Sequence, residues 1–403
     1  MTPLLLFVVV VGGLMLRGMS PEERIAFFQR ILAWLSRAKA AITYVPPECQ
    51  PFNEALRART RWTIVTPAIV ATNIVVFLGM AFGVGAMAER DTLLAWGASF
   101  GPRTTNGEWW RLLTSMFVHM GFVHVVASVV GTLRAGLMLE RLVGHVTFAT
   151  TYVSAGVLAG LATLAMHPVA LHAGASGAVF GIYGLFLASM AWALFRPSEM
   201  TIPNAALRQL APGAVIFLLY TFITEGLVTP SMITGLTVGG ICGLVLAQGV
   251  TARKPPVRRI VATLAATAGI VVLFAVPLRG VADVTAEIAQ VVAVEKQTSH
   301  DYDAAIDRFK RERRHTEVLT EQIARIRPEL KVVNARLNAL VNVPAEQLWL
   351  VSGAKEYLRL RDESWRLREE GLRQSSMKLL QQADMSERAA LDALETIQPA
   401  EPN

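Results

Sequence analysis

Seven long apolar runs constrain this chain more than any other feature of its sequence. Each is close to the roughly 20 residues that a helix needs to cross the hydrocarbon core of a bilayer. Because lipid offers no partners for backbone polar groups, helices and closed barrels are the structures that span it. The sequence therefore predicts an all-α, multi-pass membrane protein. The runs are residues 63–87, 112–137, 146–166, 173–195, 210–228, 231–250 and 260–278.

Charge is distributed unevenly along the chain. Hydrophobic residues make up 53% of it and charged residues 17%, against about 25% charged residues in soluble domains. Most of the charge lies in residues 281–403, which predicts a tail that faces water. The net charge of +7 comes from basic residues in short loops between apolar runs, which favours membrane orientation over nucleic-acid binding.

The basic loops alternate along the sequence, and this alternation predicts one orientation. Arginines are abundant in residues 17–61, and further basic loops contain Arg134 and Arg141, then Arg196 and Arg208, then residues 253–259. By the positive-inside rule these loops face the cytoplasm. If the last run spans, the tail lies outside, which is the periplasm for a bacterial inner membrane.

We divide the chain into five regions. Residues 1–19 form a hydrophobic N-terminal segment, and whether Met1 to Leu16 crosses the bilayer stays open. A six-run membrane core occupies residues 63–250, an extra transmembrane helix follows at 259–278, and residues 281–403 form a helical tail. The remaining region, residues 20–62, lies between the N-terminal segment and the membrane core. It begins with Ser20, Pro21 and Glu23, a typical helix start with a capping box.

The helix predicted after Ser20 is amphipathic. Its apolar stripe consists of Ile25, Phe28, Leu32 and Leu35. Such a helix lies in the cytoplasmic membrane interface or packs as a small helix against the bundle, and the sequence leaves both open.

The tail carries a heptad pattern from Leu319 to Leu340, which Pro328 interrupts. Leu358, Trp365, Leu372 and Leu379 recur every seven residues. A coiled-coil-like helical hairpin or small bundle is expected, rather than one straight coiled coil. We expect the tail to bind a protein partner or to self-associate. It shows no catalytic constellation, and the whole chain predicts no metal site and no cofactor.

Four polar signals follow one another along the core. Trp110 and Arg111 precede the second run, and His119 and His124 stand near its start. Glu140 and Gly144 follow at its end, and Gly174-Ala175-Ser176-Gly177 opens the fourth run. A Gly-x-Ser-Gly sequence alone is weak evidence, since small residues are common in membrane helices. Histidines near a bilayer are costly and are candidates for function.

Together these signals resemble the rhomboid family of intramembrane serine proteases over residues 63–250. The resemblance implies a six-helix core around a serine–histidine dyad and cleavage of transmembrane segments. It therefore implies membrane lipids and the transmembrane helices of substrates or clients as partners. By the same resemblance, Ser176 is the nucleophile and His124 belongs to the oxyanion hole. The structural motif positions are Trp110, Arg111, His119, Glu140, Gly174, Gly177, Gly181, Gly239 and Gly243.

Two positions depart from the family pattern. Ser128 replaces the family's asparagine in the oxyanion hole, and losing one such donor costs a serine protease about 2.7–4 kcal/mol. Leu236 or Thr237 stands where the family has the dyad histidine. A serine hydroxyl needs a base to become a nucleophile. Removing that base costs about a millionfold in kcat, about 8 kcal/mol.

Two interpretations of the core stay open. The first is a proteolytically silent pseudoprotease that binds transmembrane clients. The second is an active serine endopeptidase that uses Ser176 with His172 or His124 as an unusual base. A channel or transporter is less well supported, because paired mid-membrane charges, broken helices and inverted repeats are not evident.

Overall fold

The computed structural model describes residues 46–83, 89–195, 202–226, 228–247, 255–312 and 316–397, with scattered positions between 20 and 36. The chain is 82% helical, with 15 helices and no strand over the residues so described. It divides into two compact units, Met1–Pro277 and Leu278–Asn403. The predicted anchor Met1 to Leu16 and the apolar stripe from Ile25 to Leu35 lie outside the described residues.

The capping box at Ser20 is confirmed. The Ser20 backbone N–H donates to Glu23 Oε2 over 2.7 Å, and the Glu23 N–H donates to Ser20 Oγ over 3.3 Å. These two bonds satisfy backbone donors that have no partner within the first helical turn.

The first unit contains eleven of the helices that the structure describes. They are α1 (Gln50–Arg59), α2 (Val65–Phe82), α3 (Arg90–Ala95), α4 (Gly101–Thr104), α5 (Arg111–Thr114), α6 (Phe122–Val143), α7 (His145–Met166), α8 (Ser176–Phe195), α9 (Asn204–Thr224), α10 (Pro230–Leu246) and α11 (Val257–Ala275).

Each predicted apolar run contains one long helix. Five of these helices are long and apolar enough to cross a membrane, namely α2, α6, α7, α9 and α11, and α8 and α10 are shorter apolar helices. The second run differs from expectation, because its long helix begins at Phe122 rather than near Phe117. Gly121 is extended there, so His119 precedes α6 instead of lying on it.

Helix α8 lies at the centre of the first unit. It packs against α7 on one side and α10 on another, and it also contacts α6. Helix α9 leans mainly on α6, and α11 packs on α7 without burying any residue fully. This arrangement is an all-α membrane-type bundle in which α11 follows the six long helices α2 and α6 to α10.

A buried carboxylate joins α6 to the start of α2. Glu140 Oε1 accepts hydrogen bonds from the N–H groups of Ile64 and Val65 at 2.7 and 2.8 Å, and Oε2 accepts one from Thr66 at 2.8 Å. The side chain of His145 contacts the same carboxylate at 2.6 Å. A negative charge at a helix N-terminus satisfies free donors and opposes the positive end of the helix dipole.

The second unit is a bundle of four helices around one apolar core. Its helices are α12 (Val284–Glu312), α13 (Glu317–Asn338), α14 (Leu348–Arg373) and α15 (Met377–Ile397). The expected interruption at Pro328 is wrong, since α13 continues through it. Ile326 and Leu330 on either side are buried in the core, and their packing offsets the hydrogen bond that proline removes.

An ion network lies inside this bundle. Arg361 is 1% exposed; it donates to Glu295 at 2.8 and 2.9 Å and to Glu387 at 2.5 Å. Tyr357 donates to the same Glu295 carboxylate, and the Trp365 ring lies 4.4 Å from the Arg361 guanidinium carbon. Burial tends to raise the pKa of Glu387, but Arg361 and Arg368 together hold it below its usual range.

We expect Glu140→Gln to lower the free energy of unfolding by about 3 kcal/mol, since bonds to charged groups contribute about 1.5–3 kcal/mol each. The amide would also point an N–H group at backbone donors. Unfolding by SDS in mixed micelles measures this change. Glu54→Gln, on the exposed face of α1, is the matched control and should change stability by about 0.5 kcal/mol or less. Equal stability of the two variants would contradict the capping role.

We expect Arg361→Ala to destabilise the second unit by about 3–5 kcal/mol, because it leaves the buried Glu295 carboxylate without its counter-charge. The exposed Arg359, which pairs with Glu356, is the control, and Arg359→Ala should leave stability nearly unchanged, because exposed ion pairs contribute little. Pulse proteolysis of the full chain in urea gives both values. An equal loss of stability in the two variants would show that the buried ion network stabilises the second unit no more than an exposed ion pair does.

Candidate functional site

Arg111 anchors the loop that precedes α6. Its Nη1 donates to the carbonyl oxygens of Leu94 and Ala98 at 2.6 and 3.0 Å, and its Nε pairs with Glu108. The guanidinium also lies 4.6 Å from the ring centroid of Trp110. The predicted Trp-Arg motif is therefore a structural clamp, with a buried arginine that satisfies two backbone carbonyls.

The segment before α8 is held by two sets of backbone hydrogen bonds. Ser99 and His172 exchange N–H···O bonds of 2.9 and 2.8 Å, and the Gly174 N–H donates to the Ser115 carbonyl at 2.9 Å. Gly174 has a φ of +129°, which favours glycine. A side-chain carbon there would lie 2.5 Å from Nε2 of His124. The glycine thus lets the His124 ring rest against the backbone two residues before Ser176.

Ser176 is the first residue of α8 and is buried. Its Oγ lies 3.2 Å from Oγ of Ser231, the second residue of α10. Desolvation raises the pKa of Glu225, which follows the last residue of α9, and the Ser176 side chain opposes part of that rise. Among the described contacts, Ser231 is the side-chain hydrogen-bond partner of Ser176.

His124 stacks on an aromatic ring and meets a second histidine. Its ring centroid is 5.2 Å from that of Tyr220 and 4.9 Å from that of His119. His119 Nδ1 lies 3.1 Å from the Phe117 carbonyl oxygen. Within the described chain, His119 Nε2, His124 Nδ1 and Ser128 Oγ are buried without a hydrogen-bond partner. Buried polar atoms of this kind are unusual in folded proteins, so this side of the site has polar atoms free to form hydrogen bonds with a ligand.

His172 is paired through its backbone with Ser99. Its ring carbon Cδ2 lies near Gly160 of α7, 4.0 Å from where a side-chain carbon would stand. Burial lowers the pKa of His172 to about 4. The structure gives this residue no hydrogen bond to Ser176 among the contacts it describes.

Glycines set the register between α8 and α10. The Gly177 carbonyl lies against Gly235, and the Gly181 carbonyl lies against Gly239. Gly184 meets the Leu236 carbonyl and Gly240, while Gly243 meets Ala188. The residue of α10 that contacts Ser176 is consequently Ser231. Leu236 and Thr237, which the sequence pattern aligns with the family's histidine, lie more than one turn further along α10.

Sequence reasoning missed Ser231, which contacts Ser176, and Tyr220, which stacks on His124. Neither residue belongs to a motif recognised in the sequence. The structure places the His124 ring against Gly174, two residues before Ser176, and no described contact joins Thr237 to these residues.

An apolar groove lies one turn from Ser176. It has a volume of about 430 Å³ and opens on one side between α9 and the pair α8 and α10. Phe180, one turn after Ser176, and Met232, next to Ser231, line it. Leu210 and Leu218 of α9 form the facing wall. The groove forms because α9 leans on α6 and leaves the faces of α8 and α10 open.

Comparisons with known proteins agree with this geometry. The Rhomboid domain family matches residues 106–276. Rhomboid protease GluP of Bacillus subtilis is 34% identical over 155 residues, which cover 38% of this chain and 30% of that protein. The putative rhomboid protease YdcA of the same organism is 34% identical over 99 residues, 24% of this chain and 48% of YdcA. Rhomboid-like protease 3 of Toxoplasma gondii is 37% identical over 96 residues, 24% of this chain and 36% of that protein. The matches thus span less than half the length of these relatives.

We expect Gly239→Ala to push α10 away from α8, because the added methyl group meets the Gly181 carbonyl. Overpacking of this kind costs about 1–3 kcal/mol, and a rigid backbone neighbour favours the upper end. Unfolding in SDS measures the loss. Gly269→Ala in α11, where a methyl group has nothing within 4 Å, is the control and should be neutral or slightly stabilising. Equal tolerance at both positions would contradict the close helix contact.

Proposed function

Because residues 106–276 belong to the rhomboid family, we propose that this multi-pass membrane protein binds the transmembrane helices of client proteins without a serine–histidine dyad. Rhomboid proteases act on transmembrane substrates, and the proposal keeps that class of partner for this chain. It assigns the chain to membrane-client binding rather than to ordinary dyad proteolysis.

The observation that carries the proposal is the surroundings of Ser176. Its side-chain hydrogen-bond partner among the described contacts is Ser231, where the family mechanism needs an imidazole. General-base catalysis needs a base within about 3 Å of the hydroxyl. A neighbouring hydroxyl does not accept a proton near neutral pH, so rapid peptide hydrolysis of the family type is not expected.

The apolar groove supports the proposal that the client is a transmembrane helix. Its walls are almost entirely apolar side chains, which suits a helix that arrives from lipid. Phe180 and Met232 place one end of the groove beside Ser176 and Ser231. A helix of a client that enters there would lie along α8 and α10, with its backbone near the polar site.

The alternative with a histidine base is less well supported. His172 is turned toward α7, and His124 is held between Tyr220, His119 and Gly174. His124 and Ser128 suit the role of oxyanion contacts that the family pattern gives them, and neither has a hydrogen bond to Ser176 among the described contacts.

The orientation and location follow from the charge pattern. We place the protein in the inner membrane of a bacterium, with its basic loops in the cytoplasm and the second unit in the periplasm. The exposed surface of the four-helix bundle, which includes Trp349 at 56% exposure, would then be available to a protein partner.

Photocrosslinking tests client binding. We expect a benzoylphenylalanine in place of Leu218, in the groove, to crosslink a generic rhomboid-substrate transmembrane peptide in liposomes. The same group in place of Leu273 of α11, which is exposed outside the groove, should crosslink lipid. Ala214→Trp, which fills the groove, should abolish the peptide adduct in the Leu218 background. Crosslinks to lipid alone from the groove would contradict the proposal.

Cleavage of the same peptide tests the absence of dyad proteolysis. Wild-type protein and Ser176→Ala in liposomes are expected to release equally little product on the timescale of an ordinary rhomboid protease. Rapid cleavage that Ser176→Ala removes would contradict the proposal and establish a dyad-like activity.

A further inference from the structure

We propose that one end of the second unit, formed by residues 337–350, docks on the lipid bilayer through the exposed side chains of Val341, Leu348 and Trp349. These three side chains are called the apolar tip below. The partner is a lipid surface, and the contact lies at the boundary between headgroups and acyl chains. Client binding beside Ser176 does not involve this surface, so either proposal can fail without the other.

The apolar tip groups large exposed side chains at one end of the four-helix bundle. Val341 is 75% exposed, Leu348 54% and Trp349 56%. Their neighbours Val343 and Leu350 pack against the core of the bundle, so the backbone here is held in place while the tip is left uncovered. Single exposed apolar residues are common on proteins, whereas a group of large ones typically marks an interaction surface.

The apolar tip lies at the end of the bundle where the chain enters it. Helix α12 begins at Val284, and the residues just before it contact the connection between α13 and α14. The Asn342 side chain donates to the Arg279 carbonyl oxygen at 2.9 Å, and the Ala282 N–H donates to the Asn342 carbonyl oxygen at 3.4 Å. These bonds hold the connection that carries Val341 against the first residues of the second unit.

Those first residues are tied closely to the membrane face at which α11 ends. Helix α11 has 19 residues, which at 1.5 Å per residue give about 28 Å and match a hydrocarbon core of about 30 Å. Its last residue is Ala275, and Arg279 follows four positions later. Since an extended chain spans at most about 3.6 Å per residue, Arg279 lies within about 15 Å of that helix end. The covalent connection therefore keeps the apolar tip near lipid.

The composition of the two ends of the bundle differs in the same sense. Between residues 337 and 350, Glu346 is the one charged residue, although the tail as a whole is dense in charge. At the opposite end Met377 is also exposed, but the exposed Arg373 and Lys378 flank it. Tryptophan is enriched at membrane–water interfaces, where its apolar ring and polar N–H are both accommodated. The low charge and the Trp349 ring of the tip fit that environment.

A protein partner is the competing occupant of this surface. Lipid is favoured because it is present wherever α11 spans a bilayer, and the short connection from α11 gives the tip a high effective concentration at the membrane surface. A separate protein would have to compete with a partner that is already tethered beside the tip.

Quenching by nitroxide lipids tests the contact in the full-length protein reconstituted in liposomes. Val341→Cys carries the environment-sensitive dye nitrobenzoxadiazole, and Met377→Cys with the same dye is the matched control at the opposite end. Both positions are exposed, so labelling should leave the fold intact. The native Cys49 and Cys242 are buried, and dye-treated wild type gives the background. We expect nitroxides about 5–10 Å deep to quench the dye at position 341 at least about twofold more strongly than at 377.

Replacing the other two side chains of the tip separates insertion from simple proximity. In the Val341→Cys background, Leu348→Ser together with Trp349→Ser should reduce the quenching to the level seen at position 377, because binding strength at the interface scales with buried apolar area. Arg359→Ala, also on the exposed surface of α14, should leave the quenching unchanged. Pulse proteolysis in urea reports whether the bundle of each variant is folded.

Three results would overturn the proposal. Equal quenching at positions 341 and 377 would mean that the tip stays in water. A blue-shifted emission at 341 without quenching by nitroxide lipids would mean that protein, such as a second copy of the chain, covers it. Unchanged quenching in the folded double-serine variant would mean that the chain alone holds the connection near lipid and that the apolar side chains do not bind it.

Discussion

The close backbone contact between α8 and α10 is the constraint on which the site depends. Gly177, Gly181 and Gly184 meet Gly235, Gly239 and Gly240 with no side chain between them. Contacts of this type replace the hydrophobic effect as a source of helix association in lipid. Since backbones interlock in discrete steps, the contact admits one register, and that register decides which residue of α10 meets Ser176.

The polar site is then assembled from helix ends rather than helix middles. Ser176 begins α8, Ser231 is the second residue of α10 and His124 lies in the first turn of α6. Helix ends carry unsatisfied backbone groups, and they are where a membrane protein tolerates polar side chains at least cost. The distant carboxylate of Glu140 fixes the other end of α6 to α2, so both ends of α6 are held.

The sequence allowed the fold to be predicted well and the site in part. Seven helices follow from the length of the apolar runs, because a bilayer imposes that length on any spanning segment. Arg111, Glu140 and Gly174, known from the sequence only as motif positions, make buried or close contacts in the structure. The partner of Ser176 could not be predicted from the sequence. Placing Thr237 opposite Ser176 by its distance from Gly239 assumes a register between α8 and α10, and that register depends on three-dimensional packing.

The register also determines how this molecule could regain a histidine dyad. A histidine introduced at Thr237 would repair the linear pattern and yet stand more than a turn away from the nucleophile. Position 231 is the place on α10 from which a side chain reaches Ser176. A histidine at position 237, which agrees with the linear pattern, would therefore not restore activity. A histidine at position 231 would bring an imidazole to the Ser176 hydroxyl, although the linear pattern does not point to that position.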